Sequence, residues 1–440
     1  MNLLLLIICI VMPSDTVYLS QKEAIEIGLE NSPLLLASQA QVQSAEAKKY
    51  SARSVFFPQV KLDANYRRVS LVQEMKSFQI DSLVMTGSGA FIPVGHTITI
   101  PFGQNDNYSL NLGVSQAIFS WGSLLRSYQM ALINLQDNIL TDSLNRESFV
   151  VQVKQLYTYA LILREFVDLS LKVDEELKEH YETTKRKYDL GAATEIELLQ
   201  AESKYKNNRI QVLEAERSYR ETIDMLKLIL NMKENTEVVL TDSLFLDSAY
   251  VSGLMESMLD VENRYDIKSL KNKQKLLDLN MKIYSASNLP SLFYSFNYMM
   301  QKPFGFENIW KDYWALTIGV SFPIFDGLKS NYQVRDVQYQ KKALEYTLAF
   351  QQSSSYVEHK KALRNLEDAM MKYETQRDNL RVAEALFNTV KKQYEMGLAT
   401  QLDYIDAETN YFAQRAYLLQ ALGDCVLKSV ELEKVFKGIK

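Results

Sequence analysis

The chain has 440 residues, 47% of them hydrophobic, with a net charge of −5 and only 15 glycines and 8 prolines. So few helix breakers favour long uninterrupted elements over a string of small domains. The acidic balance and the lack of a basic stripe exclude nucleic acid as a partner. Two cysteines, Cys9 and Cys425, leave no intrachain disulfide once a leader is removed.

Leu3 to Met12 is an apolar run. It is too short to span a bilayer as a helix but fits the core of a signal peptide, which predicts a leader over 1–17. Ser20-Gln21-Lys22-Glu23 is a capping box opening a helix to about Val55. Asn31-Ser32-Pro33 predicts a break near its start, and Phe57-Pro58 ends it.

The period then changes from 3.6 to 2. Val60, Leu62, Ala64 and Tyr66 alternate with Lys61, Asp63, Asn65 and Arg67. A long loop carrying Gly87, Gly89, Pro93, Gly95, Pro101 and Gly103 is expected next. Tyr108, Leu110, Leu112 and Val114 then alternate with small or polar residues. The expected strands are about 59–69 and 108–117. From Gly122 a helical stripe lasts to Leu190, a rod of about 100 Å. A second helix ascends to about Met232, and 233–260 is irregular. The second half repeats the plan: a helix to Leu289-Pro290, strands at about 291–300 and 313–322, and a second rod to Met396. Leu366, Tyr373, Leu380, Phe387 and Tyr394 recur every seventh residue along it, a coiled-coil seam.

Two short stretches close the rods. Tyr188-Asp189-Leu190-Gly191-Ala192-Ala193-Thr194 and Tyr394-Glu395-Met396-Gly397-Leu398-Ala399-Thr400 are 394 − 188 = 206 residues apart. A glycine with φ > 0 stops each helix, and the threonine caps the next. Each reads as the tip of a helical hairpin. Pro58 and Pro290 are 232 apart, whereas Val114 and Val320 are 206 apart, so the first strand loop is longer by 232 − 206 = 26 residues. The repeats therefore run from 18 to 232 and from 261 to 440.

Strands of about ten residues, apolar on one face and small or polar on the other, have the length a tilted transmembrane strand needs. A soluble sandwich would give the same alternation. Tyr66, Tyr108, Tyr298, Tyr313 and Trp314 gather at one strand end, where an interfacial girdle would sit. Four strands cannot close a barrel, and open edges in lipid leave backbone groups unpaired, so the barrel must be shared between subunits. His96, His180 and His359 have no metal-ligand spacing, and no nucleophile motif or phosphate-cradling loop occurs. The two helical histidines read as surface residues. Nothing points to an enzyme, a cofactor or a metal.

In this order, and doubled, the motifs resemble the TolC-like outer-membrane efflux protein family. They are Leu19-Ser20 with Glu23-Ala24, Asn31-Ser32-Pro33, Phe57-Pro58, Val114-Ser115 with Ile118-Phe119 and Gly122, Val320-Ser321-Phe322-Pro323-Ile324-Phe325-Asp326-Gly327, and both tips. The resemblance covers nearly everything after Tyr18. It implies a mainly α chain with a transmembrane β-barrel part: a homotrimer, four strands per chain in a shared 12-stranded barrel, and a long periplasmic α-helical barrel. It implies an outer-membrane exit duct of a tripartite efflux or type I secretion system. The implied partners are outer-membrane lipid, a periplasmic adaptor (membrane fusion) protein and, through it, an inner-membrane RND or ABC transporter. The tip residues Leu190, Gly191, Met396, Gly397 and Leu398 map to the adaptor-docking positions. Asp403, Asp406, Glu197 and Tyr394 map to the periplasmic constriction, with the two aspartates on one helix face. Ala399 stands where some members carry an arginine, so their salt-bridge latch is not expected here. Any belt around the rods is expected to come mostly from 233–260. The rival from another class is a soluble periplasmic coiled-coil scaffold without channel activity.

Overall fold

The computed structural model describes residues 16–101, 103–305 and 307–437. Residues 1–15 of the expected leader lie outside the described residues; Thr16 and Val17 already belong to a strand. The chain divides into two compact units. One holds the residues up to Ser44, Leu135–Lys273 and the residues from Ala343 on; the other holds Ala45–Asn134 and Gln274–Lys342.

In the first unit, β1 (Thr16–Leu19) leads into α1 (Gln21–Asn31) through the expected capping box at Ser20. Pro33 opens α2 (Pro33–Arg53), since proline at a first helical position gives up only an N–H that would be unpaired anyway. The second unit contains β2 (Gln59–Arg68), β3 (Glu74–Met85), β4 (Phe91–Pro101) and β5 (Asp106–Phe119). Then come α3 (Ser123–Asp189), α4 (Glu195–Leu230), β6 (Glu237–Leu240) and α5 (Ser248–Met255). The remaining elements are α6 (Tyr265–Ala286), β7 (Ser291–Lys302), β8 (Lys311–Ser321), α7 (Lys329–Glu395) and α8 (Gln401–Lys437). No helix among the described residues is long and apolar enough to cross a membrane.

The core of the first unit gathers Leu19, Phe149, Val153, Tyr157, Leu226 and Leu230. Gly28 belongs there because a Cβ would lie 2.5 Å from the Phe149 ring. The fully buried Tyr157 donates its hydroxyl to the Leu19 carbonyl at 2.8 Å, tying α3 to β1. The irregular segment is more ordered than its sequence suggests. β6 pairs in parallel with β1, and the Arg164 guanidinium donates to the carbonyls of Leu240 and Asp242. Val251 of α5 packs with Leu366 and Leu432.

The second unit is built on an antiparallel sheet in the order β2-β5-β7-β8. The loop expected between the first two strands is instead a separate hairpin, β3 against β4. Its glycines and prolines are compatible with pairing. Gly89 sits in the turn at φ 78, and Gly95 takes a place where a Cβ would lie 1.9 Å from the Gln79 carbonyl oxygen. Both strands of a two-stranded sheet are edge strands, so Pro93 and Pro101 can turn their missing N–H outward.

Each strand-to-helix corner carries two consecutive left-handed residues. Trp121 and Gly122 have φ 53 and 77; Gly327 and Leu328 have φ 69 and 65. The pairs are 327 − 121 = 206 residues apart, the repeat offset, although the glycine has changed places within the pair. A left-handed conformation costs a side-chain-bearing residue about 1–2 kcal/mol. Leu328→Gly is therefore expected to stabilise by about 0.5–1 kcal/mol after glycine's greater unfolded entropy is counted. An unchanged urea midpoint would show that the corner holds no such strain.

Candidate functional site

Alternation within the four-stranded sheet sorts its side chains onto two faces. Register aligns Leu62, Leu112, Tyr298 and Trp314 across the strands, and likewise Val60, Val114, Phe296 and Leu316. Seven of the eight are exposed and Val114 is half-buried, with Leu112 41% and Leu316 57% exposed; their face has the character of a lipid-facing band. The opposite face carries Gln59, Ser115, Ser295 and Thr317 in one row and Lys61, Gly113, Asn297 and Ala315 in another. That face suits a water-filled lumen. At the strand ends farthest from the helix junctions, the tilted rings of Tyr66 and Tyr108 lie 5.0 Å apart, and Trp310 lies 5.9 Å from Tyr108. Tyr66 and Tyr298 donate their hydroxyls to Asp106 and Asp312 at 2.8 and 2.7 Å, the wet end of an aromatic girdle. β2 and β8 are the sheet edges, each with a row of backbone groups without a strand partner among the described residues.

At the tips, Gly191 and Gly397 take φ 72 and 75. Ala192 N–H donates to the Lys187 carbonyl and Leu398 N–H to that of Gln393, so both rods end in the Schellman geometry that a left-handed glycine permits. Thr194 and Thr400 then cap α4 and α8. Glu197 and Asp403 occupy equivalent places, 403 − 197 = 206 apart. Each carboxylate accepts from its threonine's N–H and hydroxyl, at 2.6 and 3.0 Å for Glu197 and 2.9 and 2.6 Å for Asp403. The Thr400 hydroxyl and N–H hold the Asp403 carboxyl below the usual carboxylate range. Asp406 lies one turn on and is exposed. Gln401 donates to the Glu197 carbonyl at 2.9 Å, joining the starts of α4 and α8. Leu190, Met396 and Leu398 project their apolar side chains, with Leu190 84% exposed.

Tyr394 belongs to an aromatic cluster within electrostatic reach of Glu197. Its ring lies 5.2 Å from Tyr404, with the Lys187 ammonium 4.9 Å from its centroid. Burial, with Glu197 adding, raises its phenol. His180, expected on the surface, stacks on Tyr404 at 4.8 Å, and its Nε2 is buried without a hydrogen-bond partner. Burial and the Lys187 charge lower its pKa, so the ring is neutral at pH 7. His359 lies edge-on to Phe436.

Glu408 belongs to none of the sequence motifs. It is 2% exposed, and its Oε1 accepts from the Tyr404 hydroxyl at 3.0 Å. Burial pushes its carboxyl up to about 7, with Glu176 adding to the effect and Tyr404, Lys204 and Lys391 opposing it. The signal was in the sequence: Tyr404, Glu408 and Tyr411 share one helical stripe, which places a carboxylate in an apolar row. No group of residues able to hold a metal occurs among the described residues.

The model of a family described as "Outer membrane efflux protein" matches residues 24–232 and 260–436. The probable efflux pump outer membrane protein TtgC of Pseudomonas putida is 22% identical over 392 residues, spanning 86% of this chain and 78% of that protein. The antibiotic efflux pump outer membrane protein ArpC of Pseudomonas putida matches to the same extent. Among solved structures, the CmeC outer membrane channel of Campylobacter jejuni superposes with a TM-score of 0.76 at 18% identity, over 95% of this chain and 85% of that one. VceC of Vibrio cholerae gives 0.74 at 16% identity, over 94% and 95%.

Proposed function

The chain belongs to the outer membrane efflux protein family, and from that premise we propose that its hairpin tips dock a periplasmic adaptor, through which an inner-membrane RND or ABC transporter delivers cargo. The chain is an outer-membrane efflux channel of TolC-like fold. Four strands from each of three chains make its barrel, which gives the β2 and β8 edges their partners. Family and fold are those of channels rather than of enzymes, and the soluble-scaffold alternative gives no role to a sheet with an apolar band and a girdle.

The observation that supports docking is the pair of matched tips. Two apolar knobs stand on rigidly capped turns at the same place in each repeat. A fully exposed leucine that covers nothing in its own chain is a candidate for burial against another. A photo-crosslinking residue at Leu190 or Leu398 is expected to capture an adaptor in cells, while one at the exposed Tyr339 of α7 is not. Equal capture from all three sites would remove the tips as the docking point.

The tip carboxylates are proposed to line the entrance as rings of three. Asp403 is held by its cap, which leaves Asp406 as the carboxylate free to meet a passing cation. Asp406→Asn is expected to weaken block of the reconstituted pore by a trivalent cation by about tenfold. Asp403→Asn is expected to weaken the α8 cap, since an amide accepts less strongly than a carboxylate from the Thr400 N–H and hydroxyl. Unchanged block in Asp406→Asn would end the assignment of Asp406 to the entrance and leave the fold untouched.

A further inference from the structure

The outer end of the barrel sorts its charges by face. On the lipid side cations and acids are mixed. Arg68 lies 3.6 Å from Asp106, and Asp312, bound by the Tyr298 hydroxyl, shares that face with Lys302. On the lumen side Lys61 and Asp63 cancel one another at 2.8 Å. Beyond them the inward positions are Asn65, Ser109, Gln301 and Lys311 in one row and Arg67 and Asn107 in the next. These rows hold two cations and no acid. Arg67 is exposed and makes no ion pair among the described residues. Lys311 rests its ammonium 4.9 Å from the centroid of the Phe304 ring. Further out, in the β7–β8 turn, Glu307 is exposed.

We propose that Arg67 and Lys311 form a cationic collar at the exit of the channel that binds and favours multivalent anions, such as sulfonated or phosphorylated solutes. Closure of the barrel joins β2 of one chain to β8 of the next. Lys311 and the partner subunit's Arg67 therefore stand on adjoining strands at the same end, and three chains bring six positive charges to one rim. A ring of one sign in a wall of low dielectric focuses its field into the water it encloses and raises the local counter-ion concentration. The guanidinium adds a planar fork that fits two oxygens of a sulfonate or phosphate. The entrance proposed above carries the opposite sign, so an anion that has passed it would be drawn outward.

The test is binding of the fluorescent tetra-anion pyrenetetrasulfonate to the detergent-solubilised trimer, read by anisotropy at low salt. Wild type is expected to bind, with affinity falling as salt rises. Arg67→Gln with Lys311→Gln is expected to lower the affinity at least about tenfold. Arg68→Gln, one residue away and on the other face, is expected to stay within about twofold. Absence of binding in wild type, an unchanged affinity in the double variant, or an equal loss in Arg68→Gln would each overturn the collar. Conductance of the same trimers in planar bilayers reads the channel itself, so a failed collar and a failed channel are distinguishable.

Discussion

Leu112→Arg is expected to remove the protein from the outer membrane as a folded trimer, while Asn111→Arg leaves it in place. The two positions are neighbours on β5, and the pleat turns them to opposite faces. Leu112 lies mid-strand in the row with Leu62, Tyr298 and Trp314, where arginine meets hydrocarbon. A guanidinium on the lipid face of a transmembrane barrel costs about 2–4 kcal/mol at the midplane and less toward the girdle that Tyr298 marks. Three chains incur that cost in every ring. Asn111 faces Asp63 and Met299 on the lumen side, where a guanidinium stays hydrated and has a carboxylate across the strand. The amount of heat-modifiable trimer in outer-membrane fractions reads both variants. Loss of Asn111→Arg with survival of Leu112→Arg would mean that the faces are assigned the wrong way round.

Glu408→Gln is expected to flatten the dependence of stability on pH. The carboxyl, ordinarily at 4.5, sits at about 7 in the folded chain. The folded state therefore keeps a proton that the unfolded state releases. Stability from this group is full below 4.5, declines as pH rises from there to about 7, and is constant beyond. The displacement corresponds to about 3 kcal/mol at pH 8. Glutamine keeps an acceptor for the Tyr404 hydroxyl without the charge. The variant is expected to match wild type in urea midpoint near pH 4 and to exceed it at pH 8. Parallel curves for the two proteins would show that Glu408 does not meet the low dielectric that its burial implies. Glu176, Lys204 and Lys391 face the same carboxyl, so each shifts the curve's midpoint without removing its slope.

Much of the architecture was legible because it is written in periods. The change from 3.6 to 2 and back located the four barrel strands. The 206-residue offset located both tips, and of the seam residues Leu366 and Phe387 are buried while Tyr373, Leu380 and Tyr394 are half-buried. What the periods could not show was pairing by residues that look like breakers. Thr97-Ile98-Thr99-Ile100 alternates as a strand should, but four glycines and two prolines nearby outweighed it. They are tolerated because a hairpin on its own has two open edges. β1 and β6 are four residues each, too short for a period, and their pairing spans more than two hundred residues of sequence. The tip carboxylates illustrate the same limit in chemistry. The spacing of Asp403 and Asp406 placed them on one helix face, while the cap that occupies Asp403 depends on the turn before it. Glu408 was hidden among acidic neighbours that are exposed.

The open flanks of the four-stranded sheet have a genetic consequence. A solitary copy has no settled state in the bilayer, so every chain commits its fate to two others. Damage confined to one flank, such as a proline that blocks pairing at β8, then spreads to healthy copies made in the same cell. With equal expression of both alleles, only about one ring in eight would contain no damaged member. Lesions along that flank should behave as dominant, and those in the buried helical core, which unfold a chain before it meets its fellows, as recessive.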